Sequence, residues 1–553
     1  MYHRWGRNIS QYPKSYNTEA LAANIKTPVA ETKRGTLREL ALGAIQEIRN
    51  LADVNVDQRT YTDIISGISL EKLKAVLAIA HFRGGLDNFT SPKLIAGCIE
   101  LMSSVQPSPF LYEYGYVCFR LLNIALSACL IKRACESKET FTVPKKDFLN
   151  NSASALWDIC AFVISEELSG NTGISSGVPH SKSLGYWTAP LLEKSRLDRL
   201  LTMLHADQQN FTVALTETKT LGLSGLIYVL WKFVESEEVD MDRSLHQEWI
   251  LRPFLCILFR YWLAMPHFNY EFQAMRRIYF PKDPSLIITY GQPINLEDSI
   301  NVIRAYSTLL ESHESIELMD CGKIMSFITP FVTIGCEDLV PDMFMATIRV
   351  LWKRLLVPKS EAHHIVMSFV GLMEGFIKIL TRLRVSSADT RPWTTKLARI
   401  FVDNDVLDLV LRLTLITPTQ MLADPTDYRA IMIQPKYVTR ALVSIVRMLP
   451  NQYLVRCFRE SAAFYDWKFY LEHFELCTSR DPMRKAYPME NACNTLLVQL
   501  CDELLGKAWS KKISAARPSG TCNYPRCPSP FGAEFTSFES LGALYCSTRC
   551  QAE

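Results

Sequence analysis

The sequence predicts an all-α protein: an irregular helical bundle or armadillo-like stack that ends in a small zinc-binding tail. Three observations carry that reading. Apolar residues return at helical spacing again and again along the 553 residues. The stretches so defined begin and end on capping and proline signals, and strand signals between them are few.

Residues 1–35 are polar and show no sustained period, so they read as a flexible N-terminal segment. The helical body is expected over 36–511. Thr36 opens its first helix, with Glu39 at capping-box spacing. Leu37, Leu40, Ala41, Ala44, Ile45 and Ile48 follow as one apolar stripe. Ser91-Pro92 marks a second start, serine as N-cap and proline in the first turn, ahead of Leu94, Ile95, Cys98, Ile99 and Met102. Phe344, Ile348, Leu351 and Leu355 trace a further stripe that ends before Pro358. Behind Gln434-Pro435, Val438, Ala441, Leu442, Ile445, Val446 and Leu449 form another, stopped by Pro450. Leu286–Tyr290 is the best strand candidate, and one strand makes no sheet, so it reads as an extended connection. Ser169–Ser183 and Pro281–Asn295 read as long loops, and 512–520 as a linker. No sequence repeat of fixed period is present, so no named solenoid family follows.

A hydrophobic fraction of 48% with 21% charged residues suits a chain with a sizeable core. Sixty basic residues against 57 acidic ones leave a formal charge of +3, which argues against direct nucleic-acid binding. The longest apolar stretches, Leu121–Ile131, Leu223–Phe233 and Phe254–Met265, fall short of a membrane span or are interrupted by polar groups, and read as buried helices. The first twenty residues lack the apolar run of a secretory signal. A reducing compartment, cytoplasmic or nuclear, is therefore expected. Twelve of the sixteen cysteines lie singly in or beside apolar helical patterns and read as small buried hydrophobes.

The other four define the tail, residues 521–553. Cys522 and Cys527 flank four residues that include a proline, and Cys546 and Cys550 share one face at helical spacing. Eighteen residues separate the pairs, enough to fold back and bring four sulfurs together. Four thiolates around one Zn²⁺ complete a tetrahedron with no open position, which makes such a site structural. A tail this short also needs a staple to fold. Two disulfides, or four unrelated cysteines, are the competing readings.

These residues resemble the MYND-type zinc finger. Its common fungal form opens with a C-x4-C pair, here Cys522 and Cys527, and closes with Tyr-Cys-x3-Cys-Gln, here Tyr545, Cys546, Cys550 and Gln551. The resemblance implies that the first and last pairs share one zinc. The family's second zinc is held by a middle C-x2-C pair with a later His and Cys. Ser537 and Ser540 stand where that middle pair belongs, and Glu553 comes before any later ligand. One zinc is therefore expected rather than two. Family members bind proline-containing peptides of partner proteins, with a surface that uses a tryptophan after the closing Gln; Ala552 follows here. The helical body is also similar to large helical proteins of mushroom-type fungi that carry such a finger.

Catalytic patterns are weak. Gly173–Gly177 fits G-x-S-x-G with His180 nearby, but its flanks are polar loop rather than strand and helix. His363 and His364 are adjacent and so point to different helix faces, and no phosphate-cradling glycine loop occurs. Lys507, Lys511, Lys512 and Arg517 read as a solvated helix end. The expected role is a non-enzymatic scaffold with a protein partner. A transcription-related regulator acting through partners, or an enzyme whose pocket is assembled from residues distant in sequence, are the alternatives.

Overall fold

The computed structural model describes residues 4–16, 31–53, 58–137 except Arg83, 153–170, 191–278 except 221, 241–242 and 266–268, 291–312, 318–355, 362–413 except 411, 438–460 except 439, and Asp502. Among the described residues the regular elements are helices, and the one extended pairing is an isolated antiparallel bridge between Asn8 and Tyr112. The protein is all-α. The chain divides into two compact units, Met1–Tyr290 and Gly291–Glu553, where the sequence suggested a single body over 36–511. The linker 512–520, the cysteine tail and the strand candidate Leu286–Tyr290 lie outside the described residues.

The first unit contains α1 (Glu31–Asn50), α2 (Gln58–Gly67), α3 (Leu70–Ile79), α4 (Pro92–Ser103), α5 (Glu113–Ser137), α6 (Ala153–Gly170), α7 (Lys194–Ala206), α8 (Gln208–Thr218), α9 (Ser224–Asp240), α10 (Arg252–Ala264) and α11 (Asn269–Ile278). At its centre is α5, whose every residue from Glu113 to Ile131 is buried. Helices α3, α4, α6 and α9 pack around it. A helix that is apolar on all sides has no preferred wet face, so it settles inside a protein core or a membrane. By length and composition alone Glu113–Glu136 could cross a membrane, contrary to the shorter stretch anticipated, yet its apolar window is wholly covered by the unit's own helices.

Helix α1 begins five residues earlier than its capping box predicted, so Thr36 is an interior residue and not a cap. Glu31, Lys33 and Arg34 are good helix formers and carry the helix upstream of Gly35. Its stripe faces α3 and α4 with Ala41, Ala44, Ile45 and Ile48 buried, while Leu40 is left on the surface. Helix α4 starts as expected, on an extended Ser91 with Pro92 in the first turn. Leu94, Ile95, Cys98, Ile99 and Met102 are fully buried. Gly97 lets α4 approach α1 closely, because a Cβ there would lie 2.0 Å from the Ile48 carbonyl oxygen.

The second unit contains α12 (Leu296–Ser312), α13 (Leu318–Ile328), α14 (Val340–Leu355), α15 (Ala362–Arg382), α16 (Pro392–Asp403) and α17 (Asn451–Glu460), with residues 440–448 helical before α17. Phe344 on α14 meets Phe376 of α15 edge-on at 4.9 Å and stacks with Phe401 of α16 at 6.1 Å. Phe344, Ile348 and Leu351 are buried as the stripe required, and so are Val438, Ala441, Leu442, Ile445, Val446 and Leu449.

The expected flexibility of residues 1–35 is corrected for residues 4–16, which form a strap bound to the start of α5. Its backbone joins that of α5 directly: Ile9 N–H donates to Leu111 at 2.8 Å, Glu113 N–H to Arg7 at 2.8 Å and Tyr114 N–H to Trp5 at 3.0 Å. Tyr12 stacks on Tyr116 at 5.1 Å and donates its hydroxyl to the Phe110 carbonyl at 2.7 Å. Trp5 meets Tyr114 edge-on at 5.1 Å.

The centre of this join is the Glu113 carboxylate, 1% exposed. It accepts from Arg7 Nε at 2.8 Å and Nη2 at 2.7 Å, from Lys74 Nζ at 2.7 Å and from Tyr16 Oη at 2.9 Å. Burial alone would raise the Glu113 pKa, but the bonds from Arg7, Lys74 and Tyr16 outweigh it and hold the carboxyl at about 2, below its ordinary 4.5. A carboxyl depressed on folding adds stability that is present above its unfolded pKa and is lost as pH falls through the folded one. The contribution is on the order of 2–3 kcal/mol. Denaturant unfolding should therefore weaken between pH 4.5 and 2, and Glu113→Gln should remove about that much stability at pH 7 together with its share of the acid dependence. A Glu113→Gln protein as stable as the wild type at pH 7 would refute this reading of the strap.

Candidate functional site

The four predicted zinc ligands, Cys522, Cys527, Cys546 and Cys550, all lie outside the described residues, as do Gly173–Gly177 with His180 and the basic residues from Lys507 to Arg517. His363 and His364 fall in the first turn of α15, as the sequence placed them on a helix. Among the described residues no group of three or more His, Cys, Asp or Glu side chains is placed to hold a metal ion.

The described cysteines carry no disulfide, and Cys98, Cys118, Cys129, Cys160 and Cys256 are buried as their apolar surroundings predicted. Burial pushes the thiols of Cys98, Cys129 and Cys160 up to about 12. A nucleophilic cysteine needs the opposite, a depressed pKa beside a cation or helix N-terminus. These thiols fill space.

A cleft of about 730 Å³ in the first unit is lined by α4, α7 and the loop 104–109, with Tyr61 and Ile65 of α2. The loop is anchored from behind by three mutually edge-on rings: Phe110 lies 5.0 Å from Phe119 and 5.3 Å from Phe211, and Phe119 lies 5.8 Å from Phe211. Glu100 on α4 enters the cleft and is already engaged, accepting from Tyr61 Oη and from Arg199 Nη1, each at 2.6 Å. Asp207, between α7 and α8, closes the floor. Its Oδ2 accepts from the Phe110 N–H at 2.8 Å and its Oδ1 from Asn210 Nδ2 at 2.8 Å. Burial raises the Asp207 pKa, only partly offset by those bonds.

Chemically, the cleft offers an acidic, hydroxyl-rich wall with Tyr61, Glu100, Ser103, Asp198, Thr202 and Asp207 among its residues. No histidine, cysteine or lysine is among them. Of its carboxylates, Glu100 and Asp207 are engaged, Glu100 by Tyr61 and Arg199 and Asp207 by the Phe110 N–H and Asn210. In the second unit an opening of about 800 Å³ lies between residues 387–395 and α17, where Asp389 is clamped by Arg391 at 2.9 Å and 2.5 Å.

A further buried carboxylate was invisible to pattern reading. Glu271 on α11 accepts from the Gly222 N–H at 3.3 Å and the Ser224 N–H at 3.1 Å, and so caps the start of α9 from another helix. An anion at a helix N-terminus answers both its free N–H groups and its dipole. Burial raises the Glu271 pKa, which those bonds only partly counter. Gly222 has a φ of +82°, and a Cβ there would sit 1.9 Å from the Trp157 ring, so a glycine lets α6 pack against this turn.

No protein-family model, no curated protein and no solved structure matches this chain.

The role assigned to Asp207 is directly measurable. Asp207→Ala strands the buried Phe110 N–H and should lower unfolding stability by about 1–3 kcal/mol. Asp207→Asn keeps a carbonyl acceptor there and should recover much of that loss, whereas equal loss in both variants would place the effect elsewhere.

Proposed function

We propose that the protein is a zinc-stapled interaction scaffold, in which a helical body meets a protein partner and the tail 521–553 folds around one structural zinc. The reading is carried by one observation, the spacing of Cys522, Cys527, Cys546 and Cys550 in a chain segment with no other means of building a core. It is a degenerate MYND-like finger: Ser537 and Ser540 cannot replace thiolates, so the second zinc of that family is not expected. Zinc contributes on the order of 10–16 kcal/mol to the folding of such segments, so metal binding and tail folding are a single event.

Support for a scaffold over an enzyme comes from how the body uses its reactive groups. Glu113 ties down the strap, Glu271 caps α9, Asp207 holds the floor of the cleft, and the assigned thiols are pushed into the protonated state by burial. Each is spent on packing rather than poised toward a substrate.

Native mass spectrometry of the purified chain should find one zinc per molecule, and none in Cys546→Ser with its helix content intact. Two zincs, or zinc retained in the variant, would overturn the assignment. Cross-linked partners present with the wild type and lost with Cys546→Ser would tie the tail to the interaction; an unchanged set would assign it to the helical body.

A further inference from the structure

The cleft beside α7 is one-sided in its hydrogen bonding. Three of its hydroxyl groups turn their protons inward: Tyr61 donates to Glu100 at 2.6 Å, Ser103 to the Ile99 carbonyl at 2.9 Å and Ser104 to the Leu101 carbonyl at 2.7 Å. A hydroxyl has one proton and two lone pairs, so what these groups have left is acceptor capacity. The carboxylates add to it. Tyr61 and Arg199 both donate to Oε2 of Glu100, and Oε1 has no partner among the described residues. Asp198 is exposed and has neither a hydrogen bond nor an ion pair among those residues.

Among the described lining residues Arg199 is the one cation, and Glu100 already holds it at 2.6 Å. An anionic ligand would face three carboxylates, Glu100, Asp198 and Asp207, with that one guanidinium in return. A ligand that brings donors and positive charge meets the complementary balance.

The cleft also has length and an apolar side. Asp198, Thr202 and Ala206 recur every fourth residue and so share one face of α7, over about 12 Å of its axis. Thr202 and Ala206 are small and exposed, which leaves space above them. Ile65, Pro107 and Met203 supply apolar surface in the same cleft. A methionine adapts to neighbours of different shape. A lysine or arginine lays its methylene stem on such a surface and keeps its charge at the polar edge.

We propose that this cleft is where the helical body takes a basic, partly apolar peptide segment of its protein partner. The inference rests on the scaffold reading and adds the partner's chemistry to it, without involving the zinc tail. An acidic or phosphorylated segment is opposed by the carboxylates. A small polycation would answer those carboxylates and leave the apolar wall uncovered.

The test is fluorescence anisotropy of the full chain with a labelled peptide that alternates leucine and arginine, beside one with glutamate in place of arginine. The arginine peptide should bind, the glutamate peptide should not, and binding should weaken as salt is raised. Asp198→Lys and Thr202→Arg, both on the exposed face of α7, should each weaken it about tenfold or more with helix content unchanged. Glu217→Lys makes the same change of charge at an exposed position of α8 outside the cleft, and should bind as the wild type does. Spermidine should displace the peptide only weakly. No binding by the wild type, or equal weakening by Glu217→Lys, would overturn the proposal. Ready displacement by spermidine would overturn it in favour of a small polycation. Peptide binding by a chain that cross-links to no partner would count against the scaffold reading and not against the cleft. Partners captured equally by wild type and Asp198→Lys would do the reverse.

Discussion

The first unit depends on one constraint: α5 is covered on every side from Glu113 to Ile131. A helix with no wet face obliges its surroundings to supply apolar contacts all the way round and donors for the carboxylate it buries. The apolar part is met by α3, α4, α6 and α9. The polar part accounts for features that otherwise look unrelated. The strap of residues 4–16 exists as ordered structure because its arginine, tyrosines and backbone satisfy the first turn of α5. The Glu113 carboxylate is the most demanding of those groups, and three side chains from two segments converge on it.

The same logic runs through the rest of the unit. Glu271 reaches across from α11 to cap α9, and Asp207 holds the Phe110 N–H so that the aromatic trio can close behind the loop. Buried carboxylates here are answered by donors and act as ties between segments far apart in sequence.

How much of this was legible in the sequence depended on periodicity. The stripes at Leu94–Met102, Phe344–Leu351 and Val438–Leu449 repeat apolar residues every three or four positions, and each is buried where the pattern placed it. The strap was missed for the opposite reason. Trp5, Tyr12 and Tyr16 follow no sustained period, because they sit on an irregular segment whose rings are placed by α5, Trp5 against Tyr114 and the two tyrosines against Tyr116. The start of α1 was misplaced because a Thr-x-x-Glu spacing occurs within helices as readily as at their ends when good formers precede it. Arg7 and Tyr16 stand 106 and 97 residues from Glu113, Phe110 stands 97 from Asp207, and Gly222 and Ser224 stand 49 and 47 from Glu271, and no local pattern encodes such pairs. The cysteine tail rests on spacing alone, since it lies outside the described residues.

Strap and buried helix form one cooperative structure. Native-state amide hydrogen exchange measures this residue by residue. The Ile9, Glu113 and Tyr114 amides should open with the same free energy as those of Leu121–Ile131, since their hydrogen bonds close only when the strap is seated. Exchange of Ile9 and Tyr114 at the rate of a frayed terminus, with Leu121–Ile131 still protected, would contradict it.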